Sequence, residues 1–154
     1  MTKSTPFIST AELRAAGVAA PWVFGRRDWV RSGEIDALSH TNNTVYLGWF
    51  ETVRVGYLRT LVPWIYPRYQ TALKSLTADY HKQTVINEEY LVVSRTRSFR
   101  TTSFVQEYAV LAPDLRTSGT AVVVLVEAET GKKVPLPEEL REYFLENDGA
   151  EDLR

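Results

Sequence analysis

One stretch of the sequence, residues 32–57, runs from a polar loop directly into a long apolar segment. Apolar side chains in that segment recur at intervals of three or four residues, which predicts an amphipathic helix over residues 43–61. The members of its apolar face are Tyr46, Trp49, Phe50, Val53 and Tyr57. Leu47 and Val55 widen this face, so we expect the rest of the chain to surround the helix on most of its circumference.

The loop before this helix contains side chains that can cap a helix or take part in catalysis. Asn42 and Asn43 are good caps, because a side-chain oxygen can accept from the amide groups that the start of a helix leaves unpaired. Asp36 and His40 come just before them. We therefore expect the positive end of the helix to lie beside a carboxylate and a histidine, where it can stabilise a developing negative charge.

Shorter elements precede and follow the central helix. Ser9 and Glu12 have the spacing of a capping box, which predicts a short helix over about residues 10–17. Alternating or β-branched sequence predicts strands over residues 22–31, 73–82, 89–100, 103–112 and 120–128. The other predictions are a turn at 113–118, a C-terminal helix over 137–144 and a frayed acidic tail at 146–154.

One strand before the long helix and several after it predict an α+β domain, in which a curled antiparallel sheet wraps round the helix. The chain has 154 residues, which suits one domain with one core, and its hydrophobic content of 44% favours a globular fold over disorder. Sheet edges need covering, and pairing between the edges of two copies is one solution. We therefore expect a homodimer.

Composition argues against several classes of function. The formal net charge of −1 argues against general affinity for nucleic acid or for an anionic membrane. The sequence has no cysteine, which rules out disulfides, a thiol nucleophile and thiolate metal sites and suits a cytoplasmic location. We expect no signal peptide and no membrane span, because no apolar run reaches the roughly 18 residues that a span needs. His40 and His81 have no metal-ligand spacing with the scattered acids, so we expect no metal site.

The loop and the helix together resemble the opening motif of the hotdog-fold acyl-CoA thioesterases of the 4-hydroxybenzoyl-CoA thioesterase type. That motif has an acid two residues before an aspartate, then Gly-His-Val-Asn-Asn, a tyrosine and a Phe-Glu pair in the helix. The matching positions here are Glu34-Ile35-Asp36, Ser39-His40-Thr41-Asn42-Asn43, Tyr46 and Phe50-Glu51. The stretch AVVVLVEAETGKKVPLPEELREYF is similar to the family's last strand, turn and terminal helix, and Ser103-Phe104 to the opening of one of its strands. The likeness covers about residues 23–144.

The sequence departs from the family pattern at two places. Glu34, Ser39 and Thr41 stand where the family has aspartate, glycine and valine. Residues 80–88 lack the proline and the Gly-Asp turn that usually end the middle strand of the family. We therefore do not carry over the family's substrate contacts from this segment.

The resemblance implies a hotdog fold and the hydrolysis of an acyl-CoA thioester to a free acid and coenzyme A, with no metal or redox cofactor. It implies that Asp36 is the catalytic carboxylate, as a nucleophile or as a general base, and that the backbone N–H of Asn43 binds the oxyanion. His40 would orient Asp36 or the thioester, or tune the charge of Asp36. The alternative for His40 is a residue at the helix entry that is hydrogen-bonded to the backbone. The resemblance also implies a homodimer, or a homotetramer made of two dimers, with the site between protomers.

Candidate binding residues have a structural alternative in each case. The candidates for contact with the substrate are Asn42, Tyr46, Trp49 and Phe50. The alternative is that the asparagine only caps the helix and that the aromatic side chains belong to the core. The candidates for binding the phosphates of coenzyme A are Arg95, Arg97 and Lys132. The alternative for these cations is a solvated face of the sheet.

The catalytic acid and the activity also have alternatives. Asp36 can instead be a loop acid that accepts hydrogen bonds from backbone amides. Glu51 is a rival catalyst, since another branch of hotdog thioesterases uses an acid from the central helix, but we expect it to pair with Arg54 or a neighbour. The chain can also be an acyl-carrier-protein thioesterase, another hotdog enzyme such as a hydratase, or a non-catalytic acyl-binding dimerisation module. The sequence leaves the acyl group open.

Overall fold

The computed structural model describes residues 6–154. In chain order, its strands are β1 (Phe7–Ile8), β2 (Phe24–Trp29), β3 (Tyr69–Tyr80), β4 (Glu89–Phe99), β5 (Ser103–Leu111), β6 (Leu115–Glu127) and β7 (Glu151–Asp152). Its α-helices are α1 (Thr10–Ala15), α2 (Asn43–Leu61) and α3 (Glu138–Asp148), and short 3₁₀ turns cover Ser32–Glu34 and Pro63–Ile65. The central helix has the bounds that its sequence predicts.

Within residues 6–154, six strands form an antiparallel sheet in the order β1-β2-β4-β5-β6-β3, and the short β7 pairs in parallel with β4. β4 and β5 are joined by a short turn and Phe99 lies opposite Phe104, which confirms that the two strands form a hairpin. One face of this sheet packs on α2. The arrangement is the α+β hotdog fold that the resemblance implies.

The apolar face of α2 forms the centre of the core, as its periodicity predicts. Phe50 is fully buried and stacks on Tyr108 of β5, with ring centroids 4.8 Å apart. Gly119 of β6 allows this close approach, because an added Cβ atom would overlap the Phe50 ring and the Thr77 carbonyl oxygen. The opposite side of the helix is open, and Val55, expected to widen the buried face, is 43% exposed. The sheet therefore surrounds the helix less completely than the sequence predicts.

Two strands are longer than predicted. β3 begins at Tyr69, four residues before the predicted strand, and β6 begins at Leu115, inside the segment predicted as a turn. The two strands pair along almost their whole lengths, with one irregularity between Leu73 and Ser75. β3 is the edge of the sheet and most of its side chains are exposed, so its sequence lacks the alternation that marks a half-buried strand.

The C-terminal segment is ordered, so the prediction of a frayed tail is wrong. α3 extends to Asp148, which is 4% exposed, and Phe144 packs against the rings of Phe99 and Phe104. Beyond the helix, the Leu153 N–H donates to the Phe99 carbonyl oxygen at 2.9 Å. Most acidic side chains of this segment face solvent, which is the feature that the sequence shows, while Phe144, Ala150 and one aspartate, Asp148, are buried.

α1 and the residues on either side of it cover the other face of the sheet. Leu13 of α1 is fully buried. It belongs to a second apolar cluster with Ile8, Leu91, Val93 and Ala109. None of the helices in the described residues is long and apolar enough to cross a membrane.

Candidate functional site

Residues 35–41 form a small closed loop in front of α2. Ile35 and Thr41 pair as an isolated antiparallel bridge at its base, and the Asp36 N–H donates to the His40 carbonyl oxygen at 2.8 Å. At its tip, Ser39 has a positive φ of 64°, a conformation that favours glycine, which the resembled family has at this position. The loop therefore makes the kind of turn that favours glycine, although serine occupies the position.

Asp36 is held by the loop that carries it. Its Oδ1 atom accepts from the Leu38 N–H at 2.9 Å and from the His40 N–H at 3.2 Å. Its Oδ2 atom has no hydrogen-bond or ion-pair partner in residues 6–154, and the residue is partly exposed. The loop-acid interpretation thus describes one oxygen of the carboxylate, while the other oxygen is free to meet a ligand.

The start of α2 leaves one amide group without a partner. The Asn42 Oδ1 atom accepts from the Thr44 N–H at 3.0 Å and the Asn42 carbonyl oxygen accepts from the Val45 N–H at 3.0 Å, so Asn42 is the cap. Asn43 is exposed, and its N–H has no acceptor among the described residues. Because it lies at the positive end of a 19-residue helix, this N–H can donate to an oxygen that gains negative charge.

His40 contacts Asp36 through its backbone. Its N–H donates to Asp36 Oδ1, while its ring makes no hydrogen bond within the described part of the chain. The residue is partly buried in the loop. An orienting role for the ring therefore stays a prediction.

Two residues that the sequence analysis did not single out hold the start of α2. The Tyr80 hydroxyl, at the end of β3, donates to the Asn43 carbonyl oxygen at 2.8 Å. Partial burial, with a further contribution from Tyr46, raises the pKa of Tyr80, which remains a donor at neutral pH. Thr84 forms hydrogen bonds with Tyr46 and with Thr41. Both residues lie in the segment 80–88, and its departure from the family pattern was the sequence feature that could have drawn attention to them.

The aromatic candidates for substrate binding lie in the core. Tyr46, Trp49 and Phe50 are 1%, 5% and 0% exposed. The Trp49 ring stacks on Tyr90 with centroids 3.9 Å apart, and its indole N–H donates to Glu34 Oε2 at 2.8 Å. The structure therefore supports the core interpretation for these rings, and their contact with a substrate stays a prediction.

Glu51, the rival carboxylate, does not form the expected ion pair. It is exposed on α2 and has no ion-pair partner within the described residues, so the predicted pairing with Arg54 is wrong. Arg54 points into the core instead and donates to the Tyr108 hydroxyl at 3.1 Å.

The cations proposed for coenzyme A lie in two places, two of them on β4 and one in the turn after β6. Arg95 forms an ion pair at 2.9 Å with Glu107 on the neighbouring strand, and Arg97 is exposed further along β4. Glu107 lies opposite Thr120 of β6, and Lys132 is hydrogen-bonded to Glu127 at the end of that strand. Thr120 and Glu127 are about 23 Å apart along the strand direction. The sequence predicted this set from charge alone, and binding of coenzyme A by these residues stays a prediction.

Comparison with known proteins relates this chain to one superfamily. The family model of the thioesterase-like superfamily matches residues 30–144. The uncharacterized protein YsmA of Bacillus subtilis is 30% identical over 121 residues, which are 75% of this chain and 81% of that protein.

Solved structures give the same result. A thioesterase-superfamily protein from Jannaschia sp. CCS1 is 34% identical with a TM-score of 0.85, covering 97% of this chain and 98% of that one. A thioesterase from Thermus thermophilus, solved with coenzyme A and zinc, is 27% identical with a TM-score of 0.72, covering 84% of this chain and 95% of that one. The fold and the loop that precedes α2 lie within the matched region.

Proposed function

The chain belongs to the thioesterase-like superfamily, and we propose that it hydrolyses acyl-CoA thioesters, releasing a free acid and coenzyme A. The superfamily match includes the loop of residues 35–41 and the whole of α2. The similar Thermus thermophilus thioesterase was solved with coenzyme A, which supports a CoA thioester as the substrate.

The observation that carries this proposal is a free carboxylate oxygen and a free amide group at the same end of α2. Asp36 Oδ2 and the Asn43 N–H both lack partners in residues 6–154, and both residues reach the surface. They are seven positions apart, on a loop that is closed at its base. A thioester carbonyl between them would meet a base or nucleophile on one side and an oxyanion donor on the other.

In the proposed reaction, Asp36 acts in one of two ways. It adds to the thioester carbonyl carbon and forms an anhydride that water then hydrolyses, or it accepts a proton from a water molecule that adds to the same carbon. In both routes the carbonyl oxygen becomes an oxyanion that accepts from the Asn43 N–H. The C–S bond then breaks, and the thiolate leaves without strong acid catalysis because the pKa of a thiol is about 8.5. Since these groups suffice for the reaction, we propose no metal or redox cofactor.

We also propose that the protein is a homodimer, or a homotetramer made of two dimers, in the cytoplasm. β3 is a 12-residue edge strand on which Leu73 and Tyr80 are each 49% exposed, and a long unpaired edge favours pairing with a second copy. Tyr80 also contacts the first residue of α2, so a copy paired with β3 would lie near the candidate site. Light scattering tests the assembly, and a monomer at micromolar concentration would contradict it.

Release of free thiol from a panel of acyl-CoA substrates tests the proposed activity. We expect Asp36→Asn to lower kcat by about 10²–10⁴-fold, because an amide neither attacks the carbonyl nor removes a proton. The matched control is Glu51→Gln, which likewise replaces a carboxylate by its amide, at an exposed position on α2. We expect the kcat of this control to stay within about twofold of the wild-type value.

Each other outcome has a distinct meaning. Full activity of Asp36→Asn with loss of activity in Glu51→Gln would move the catalytic role to the central helix. No thiol release from any acyl-CoA would contradict the proposed activity and favour a non-catalytic acyl-binding module. Release that disappears after treatment with a chelator, and returns when metal is added, would contradict the proposal of a metal-free reaction.

A further inference from the structure

Thr84 joins three parts of the candidate site through buried hydrogen bonds. Its Oγ1 atom lies 2.5 Å from Thr41 Oγ1, at the base of the loop, and 2.8 Å from the Tyr46 hydroxyl, in the first turns of α2. Its backbone takes part as well, since its N–H donates to the Tyr46 hydroxyl at 3.2 Å and its carbonyl oxygen accepts from the Thr41 N–H at 3.0 Å. Thr84, Tyr46 and Thr41 are 0%, 1% and 2% exposed.

The hydroxyl protons in this cluster can be assigned in one consistent direction. Tyr46 donates to Thr84 Oγ1, Thr84 donates to Thr41 Oγ1, and Thr41 donates to the Thr84 carbonyl oxygen at 3.1 Å. Each hydroxyl then has both a donor and an acceptor role. A buried polar cluster that is fully satisfied in this way rigidifies the elements that it connects.

Thr84 is also the only buried residue in the connection between β3 and β4. Its neighbours in residues 81–88 are exposed or partly exposed. The connection is anchored independently by Arg116, which donates to the Gln83 carbonyl oxygen at 2.7 Å and forms an ion pair with Glu88 at 2.7 Å. Loss of the Thr84 hydroxyl should therefore leave the connection and the backbone hydrogen bonds of Thr84 in place, while it removes the side-chain hydrogen bonds that join Thr41 of the loop to Tyr46 of the helix.

From these contacts we propose that Thr84 is a positioning residue, which sets the separation between the Asp36 carboxylate and the Asn43 N–H. Thr41 closes the loop that carries Asp36, and Tyr46 lies one helical turn after Asn43. Thr84 holds Thr41 of the loop against Tyr46 of the helix, so it positions both sides of the site. It does this without touching a substrate. The catalytic consequence rests on the proposed thioester hydrolysis, but the geometric role does not.

A matched pair of valine substitutions tests this role. Thr96 is the control, because it is equally buried and its hydroxyl also bonds to a tyrosine, Tyr57, but in the second half of α2. We expect Thr84→Val to lower kcat by about 10–100-fold with KM changed by less than about threefold, since small misplacements of reacting groups are costly to catalysis. We expect Thr96→Val to lower the melting temperature by a similar amount but to keep kcat within about threefold of the wild type. Thr84→Ser should restore kcat, because it returns the hydroxyl.

Amide hydrogen exchange gives a second measurement that needs no activity. We expect Thr84→Val, and not Thr96→Val, to speed exchange at the Asp36 and Ser39 amides, which are hydrogen-bonded within the loop. Unchanged exchange at these amides in Thr84→Val, or an equal loss of kcat in both valine variants, would overturn the positioning role. A wild-type protein that releases no thiol, in which only Thr84→Val speeds the loop amides, would refute the proposed function and leave the positioning role standing.

Discussion

One aspartate lies beside each half of α2, and the two differ in their surroundings. One is accessible to a ligand, whereas the other is enclosed in the core. Asp36, at the N-terminal end, is partly exposed, with one oxygen bound by loop amides and the other without a partner in the described residues. Asp148 lies beside the second half and is 4% exposed. Its Oδ2 atom accepts from the Tyr57 hydroxyl at 2.5 Å and from the Thr96 N–H at 2.6 Å. A free oxygen can act on a ligand only where a ligand can reach it.

The electrostatics of the buried aspartate follow from its position. Burial raises the pKa of Asp148 to about 6, although hydrogen bonds from Tyr57 and Thr96 and the charge of Arg95 oppose the rise. Burial and the neighbouring carboxylate also raise the pKa of Tyr57 well above its ordinary value, so that its hydroxyl remains protonated and donates. Asp148 Oδ1 is buried and has no partner within residues 6–154. The second half of α2 therefore holds its carboxylate at a cost in stability, with no access for a substrate.

The largest expected effect on stability comes from detaching α3, which carries Asp148. Phe144 is fully buried between Phe99 and Phe104, with ring centroids 6.2 and 5.1 Å away, so we expect Phe144→Ala to lower the free energy of unfolding by about 3–5 kcal/mol. Leu145→Ala is the matched control, since Leu145 is the next residue and is 43% exposed, and it should cost less than about 0.5 kcal/mol. Chemical denaturation measures both. If Phe144→Ala lost kcat per folded molecule, at a temperature where the variant is folded, the second half of α2 would contribute to function and not only to stability. That result would contradict the contrast drawn between the two halves.

The parts of this comparison that sequence predicts are the local ones. The bounds of α2 follow from its apolar period, from the cap at Asn42 and from Pro63 just after its end. The loop with Asp36 was placed beside the helix start because only a few residues separate the two. Local periodicity, capping and turn chemistry act between neighbours in sequence, so they can be read without knowing the fold.

The parts that sequence missed depend on distant partners. Thr41 and Thr84 are 43 positions apart, and Tyr57 and Asp148 are 91 apart. Asp148 stands in an acidic segment that resembles a solvated tail, and nothing in its neighbourhood shows that one carboxylate is buried. The early start of the edge strand β3 was missed for a related reason. This strand is stabilised by its pairing with β6 and not by an apolar face that its own sequence would show.

The pH dependence of the free energy of unfolding gives a further test of the difference between Asp148 and Asp36. Its pKa rises from an ordinary 3.8 to about 6, so the folded protein holds this proton more tightly than the unfolded chain does. This carboxyl group therefore lowers the free energy of unfolding as the pH rises from about 4 to about 6, by about 3 kcal/mol in total. Tyr57, Thr96, Arg95 and Tyr143 lie around the group, and burial raises the pKa of both tyrosines, so neither tyrosine hydroxyl ionises in that range.

Asp148→Asn is the variant that isolates this effect, because the amide oxygen still accepts a hydrogen bond but carries no charge. We expect the stability of the wild type relative to Asp148→Asn to fall by about 3 kcal/mol between pH 4 and pH 7 in denaturation at several pH values. Stabilities that differ by a constant amount across this range would show that the carboxylate is solvated in the folded protein.

The smallest expected effects come from two glycines of α2, one in each half. At Gly48 an added Cβ atom would have no neighbour within 4 Å, so Gly48→Ala should stabilise the protein by about 0.5–1 kcal/mol through the better helix propensity of alanine. At Gly56 an added Cβ atom would overlap the ring of Phe7, which stacks on Phe24 at 5.4 Å. Gly56→Ala should therefore destabilise by about 1–3 kcal/mol, because the displaced ring cannot keep that contact. Chemical denaturation of the two variants measures the difference in sign. Destabilisation by both substitutions would mean that the N-terminal half of α2 is as tightly enclosed as the second half, which would contradict an open candidate site.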